Sequence, residues 1–219
     1  MFYVLIFILE LFVLYLIARK LTRGVSRLFY KITKNKKRTV WLFAILFLPG
    51  TLIHEMAHFL TALFLFVPLG DIDLTPEFEG NYVKLGNVSI GRVDPIRKTL
   101  VGIAPLVFGT ILILIIINFA LTRNILNSWY VSFLLGYAVF EIGNTMFLSK
   151  RDVRGLVELF IILALFYIIV SLLGVKISFD TNRLFTEDIV NLFKKADLFL
   201  LVPLGIDLAF LAFLKILDA

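Results

Sequence analysis

The chain has no cysteine among its 219 residues. That excludes disulfides and any metal site built on thiolates. Histidine is almost as scarce, with two copies, so a three-imidazole site is excluded too. No basic residue precedes the first apolar run, "FYVLIFILELFVLYLIA", while a dense basic block follows it. That is the pattern of a membrane anchor with its N-terminus outside rather than of a cleavable leader. No internal repeat, low-complexity tract or second domain is evident.

Apolar surface is what the chain has in abundance. Hydrophobic residues make up 60% of it, 23 of them phenylalanine, and the mean hydropathy is +0.98. A soluble domain of this size cannot bury that much, so the composition is that of a polytopic membrane protein. Apolar runs near 2–18, 40–66, 100–121, 129–148, 155–175 and 198–217 predict an all-α fold of about six transmembrane helices. Between the first two, residues 19–38 carry nine basic residues and no acid, which predicts a solvated cytoplasmic loop beside anionic lipid. The net charge of +6 sits mostly in this block and reads as a topology signal, not as a nucleic-acid site. The first run is short for a span, and if it lies in the interface the orientation reverses. Residues 67–99 are the long polar insertion, where Gly, Pro and Asn around "YVKL" and "VSIGRV" predict short strands or a hairpin after the second helix. The whole, 1–219, reads as one membrane domain: an N-terminal anchor and basic loop at 1–39, a core at 40–155 and accessory helices at 156–219.

Both histidines fall in one motif, His54-Glu55-Met56-Ala57-His58. On a helix, positions i and i+4 share a face, so two imidazoles can reach one zinc ion. Glu55 then stands beside the metal, where it can take a proton from bound water. A polar cluster held only by hydrogen bonds is the plainer alternative, yet burying two imidazoles and a carboxylate in a span is costly unless something pairs with them.

A catalytic zinc takes three protein ligands and keeps one position open. With cysteine and a third histidine missing, the last ligand must be Asp or Glu, and Glu10, Asp94, Glu141, Asp152, Glu158 and Asp207 are the membrane-adjacent candidates. Asp152 is the best placed, because the fourth run ends at "GNTMFLSKRD" on the side reached by the histidines. Glu141 lies deeper, by about 16 Å of helix rise. Asp94, before Pro95, suits a cap.

Together these residues resemble the site-2 protease family of intramembrane zinc metalloproteases. The likeness rests on HExxH inside a span, on "GIAPLVFG" (Gly102 to Gly109) opening the span after a strand-like insertion, and on Asn144 followed eight residues later by Asp152. It covers roughly residues 40–155. Phe147 and Val153 depart from the family's proline and glycine around that aspartate. The resemblance implies zinc held by His54, His58 and Asp152, with Glu55 as general base and acid. Asn144 would hold the substrate backbone or the oxyanion. The reaction would be hydrolysis of a peptide bond in, or at the edge of, a transmembrane segment of a partner protein. The expected setting is a bilayer, the cytoplasmic membrane of a prokaryote, with no nucleic acid involved. A prenyl-protein-type metalloprotease would need a third histidine. A transporter would spread its polar residues over paired halves. A non-proteolytic protein that keeps a metal site is the remaining alternative.

Overall fold

The computed structural model describes residues 2–73, 77–79, 82–84, 87–91, 93–123, 125–147, 161–162, 164–172 and 186–217. Helix α1 (Phe2–Thr33) is followed by α2 (Lys36–Leu46) and α3 (Leu48–Phe64). Four short strands come next: β1 (Leu69–Asp73), β2 (Glu77–Glu79), β3 (Tyr82–Lys84) and β4 (Asn87–Ile90). Then follow α4 (Pro95–Thr122), a 3₁₀ turn at Ile125–Asn127, α5 (Trp129–Thr145) and, after a helical stretch at 164–172, α6 (Glu187–Ile216).

The expectation of about six spans is overturned. Among the described residues, three helices (α1, α4 and α6) are long and apolar enough to cross a membrane, or four if α2 and α3 count as one broken span. Helix α5 has only 17 residues, too few to meet that length. Of the run expected at 155–175, residues 161–162 and 164–172 are described and helical, and the remainder lies outside the described residues. The basic segment expected as a loop is instead helical: α1 continues through it to Thr33, and α2 starts three residues later.

The run at 40–66, expected as one span, is also broken. Helices α2 and α3 meet at Phe47 with a bend of 69°. The cause is local. Pro49 and Gly50 open α3, and a proline there has no N–H to extend the α2 ladder while its ring crowds the preceding turn.

Direction settles the arrangement of the outer helices. Phe7 meets Phe193 edge-on at 5.2 Å, a Cβ on Gly24 would lie 2.9 Å from Leu214 Cδ1, and Lys31 Nζ donates to Leu217 O at 3.2 Å. The partners advance together, so α1 and α6 run parallel. Six strictly alternating spans would set the first and last antiparallel. Two clusters fill the space between helices. One joins Leu14, Ile113, Ile142, Met146 and Leu204; the other joins Leu21, Val25, Phe43, Phe47, Phe140 and Leu214. Large apolar side chains such as Leu5, Phe12, Ile115 and Phe119 face outward, the pattern of helices whose surroundings are apolar on both sides.

Of the short strands or hairpin expected around "YVKL" and "VSIGRV", the strands form, as β3 and β4. These segments do not pair with each other: β3 pairs with β2, and β4 pairs with β1, both antiparallel. The β1–β4 ladder lies against α3. Phe66, in the left-handed region at φ 53°, closes α3, with Val67 N bonded back to Ala62 O at 2.9 Å, and turns the chain toward β1.

Candidate metal centre

His54 and His58 lie one turn apart on α3, and each ring is fixed through Nδ1. His54 Nδ1 donates to Thr145 O at 2.6 Å, and His58 Nδ1 donates to Val101 O at 2.7 Å. A carbonyl can only accept, so both Nδ1 atoms carry the hydrogen and Nε2 is the ring nitrogen left to face a ligand.

The local sequence supplies both carbonyls. Pro105 has no N–H, so in α4 the carbonyl four residues earlier, Val101 O, lacks its helical donor. Thr145 closes α5, where the last carbonyls have no donor from their own helix. A proline and a helix end thus expose the two acceptors that orient the imidazoles.

The two Nε2 atoms then converge at 3.2 Å, with the rings nearly perpendicular at 82°. Two lone pairs at that distance repel unless a proton or a cation lies between them. Nitrogens each about 2.05 Å from a tetrahedral zinc stand roughly 3.3 Å apart. Imidazoles tied through Nδ1 to carbonyls are also the usual arrangement around zinc. The donor pair therefore fits the ion that the motif implies. Glu55, between them in sequence, is buried.

Helix α5 holds α3 in place along one face. The break at Phe47 separates Leu46 O from Gly50 N–H, which would be partners in a continuous helix, and α5 takes up both. Tyr137 OH donates to Leu46 O at 2.8 Å, and Gly50 N donates to Glu141 Oε2 at 3.1 Å. The bond from His54 to Thr145 O continues the series. Positions 137, 141 and 145 follow one another at i+4, as do 46, 50 and 54, so the two helices run parallel and in register. Gly50 permits this approach, since a Cβ there would lie 2.6 Å from Thr145 Oγ1 and 2.7 Å from Glu141 O. Gly109 does the same for α4, where a Cβ would lie 2.5 Å from Met146 Cβ.

The other expected site residues are distributed as follows. Asp152 lies outside the described residues, as does Glu158. Among the described residues, no group of three His, Asp or Glu side chains comes together to hold a metal. Asp94 caps α4, accepting from Arg97 N at 3.0 Å. Glu141 caps the start of α3. Asn144 is buried one residue before the carbonyl that holds His54. Its Nδ2 donates to Phe140 O at 2.9 Å and to Asp207 Oδ1 at 2.8 Å, while its Oδ1 has no partner among the described residues. Sequence reasoning missed Tyr137, Thr145, Val101 and the capping role of Glu141. The signal was present as a polar residue at every fourth position of "YAVFEIGNT".

Compared with known proteins, the chain matches no family model, no curated protein and no solved structure.

Proposed function

We propose that this chain is a multi-pass, membrane-embedded zinc endopeptidase that hydrolyses peptide bonds in or beside transmembrane segments of other proteins. The observation that carries the reading is the pair of imidazoles anchored through Nδ1 with Nε2 converging at 3.2 Å. His54 and His58 would hold the ion through Nε2, and Asp152 would be the third ligand. A bound zinc supplies a water acidified to a pKa near ~7 and a polarised carbonyl. Glu55 accepts the proton of the attacking water and returns it to the departing amine nitrogen, so it ends the cycle as the carboxylate it began as. Asn144 contributes through Oδ1, which can accept from a substrate backbone N–H; its Nδ2 is already engaged by Phe140 and Asp207. A helical substrate must first unwind, because its amides are otherwise internally bonded. Among the described residues the β1–β4 ladder beside α3 is two-stranded, and an extended substrate segment would pair along its edge. The bilayer supplies the substrate, and no nucleic acid takes part.

Glu55→Gln separates this reading from a metal-holding protein that cleaves nothing. The variant is expected to keep the metal and to lose turnover of a reconstituted transmembrane substrate by about 10²–10⁴-fold. Equal behaviour of wild type and variant in the presence of substrates cut by neither would remove the protease assignment and leave the metal-holding one.

A further inference from the structure

The chain turns from α1 into α2 at a second built feature, whose lining ends nine residues before His54. A cavity of about 470 Å³ opens there, lined by Asn35, Lys37, Arg38, Trp41, Leu42 and Ile45. Its two ends differ in chemistry. The N-terminal end of α2 carries Lys36, Lys37 and Arg38, and the helix becomes apolar from Val40 onward. Arg38, Trp41, Leu42 and Ile45 follow the i, i+3, i+4, i+7 rule, so one face of α2 passes from cationic to apolar within about two turns. Trp41, Leu42 and Ile45 are all exposed along that face.

Among the described residues that line the mouth, the charged ones, Lys37 and Arg38, are both basic. Residues 19–38 hold nine basic side chains and no acid, so no carboxylate from this stretch neutralises Lys37 or Arg38. Asn35 Oδ1 accepts from Arg38 N at 3.2 Å and fixes the first turn. That leaves the earlier amides of α2 at the positive end of the helix, on the same side as the basic side chains. Cation above, indole at the junction and branched aliphatics below match the profile of a phospholipid at the membrane surface.

We infer that the α1–α2 corner is a binding site for an anionic phospholipid, with Lys37 and Arg38 on the phosphate and Trp41, Leu42 and Ile45 along the acyl chains. The site is independent of the peptidase reading. It bears on it in one respect: α2 continues into the histidine-bearing α3 across the break at Phe47, so a lipid held on α2 sets the depth at which α3 enters the bilayer.

Trp41 and Trp129 are the two tryptophans of the chain, which permits a direct test. The full-length Trp129→Phe protein is reconstituted in phosphatidylcholine bilayers containing a minor fraction of lipid brominated on its acyl chains. The brominated lipid is either phosphatidylglycerol or phosphatidylcholine. Trp41 emission is expected to be quenched at several-fold lower mole fraction by the anionic lipid. Adding Lys37→Ala and Arg38→Ala should remove that preference, so that the two brominated lipids quench at similar mole fraction. The control pair Lys20→Ala and Arg23→Ala, from the same basic stretch on α1, should keep it. Equal quenching by the two lipids would overturn the inference. So would loss of preference to the same extent in both double variants, since that reports diffuse attraction rather than a site.

Discussion

Pro105 shows how one residue acts on a ring 47 positions before it in the chain. By having no N–H it exposes Val101 O, and that carbonyl fixes the tautomer and direction of His58. Pro105→Ala returns an N–H to the α4 ladder, which then competes with His58 for Val101 O. Zinc affinity, measured against a competing chelator, should fall by about 10–100-fold while the helices stay assembled. Unchanged affinity would show that the carbonyl does not orient the ring. The sequence displayed both halves of this device, HExxH and "GIAP", and a resemblance joined them as neighbours in a pattern. The physical link was not legible, because a freed carbonyl has no signature until its distant donor is known. For Asn144 the family resemblance implied a contact with substrate, and its partnership with Asp207 could not be read from two polar residues 63 positions apart.

At the scale of elements, the parallel pairing of α3 and α5 positions the site. Glu141 is its central bond, buried at 1% exposure and accepting from an amide of the first turn of α3, which has no partner in its own helix. Removing that acceptor leaves a buried N–H unmet. Glu141→Ala should cost about 1–3 kcal/mol in unfolding free energy and loosen zinc binding. Glu141→Gln keeps an oxygen for Gly50 N and should recover most of both. A Gln variant as impaired as Ala would mean that the charge, and not the hydrogen bond, is what matters. Helices α1, α4 and α6 were legible as long apolar runs. The break at Phe47 was legible in principle from "LPG", but the length and apolarity of 40–66 favoured a single straight span. The strands' partners were not legible: short segments with turn residues on all sides fit several registers, and pairing β1 with β4 depends on where α3 and α4 leave the chain ends.

At the scale of the whole molecule, apolar runs report length but not direction, which is why counting them gave six alternating spans. The contacts of α1 with α6 show instead that the two are parallel. The end of α6 therefore shares a face of the molecule with the α1–α2 corner, opposite the start of α1. Because the chain has no native cysteine, single cysteines can report this directly. In intact membranes an impermeant thiol reagent should reach Lys36→Cys and Lys215→Cys from one side and Phe2→Cys from the other. Labelling of Phe2→Cys and Lys215→Cys from the same side would restore the alternating arrangement. The claim on which the rest depends is that the folded chain presents its two histidines to one metal ion. It is tested most directly by the zinc content of the purified, zinc-reconstituted protein, wild type beside His54→Ala and His58→Ala. About one zinc per wild-type chain and a loss in each variant are expected, as a three-ligand site requires. Wild-type protein without zinc, or variants that keep it, would show that the two histidines do not hold a metal ion.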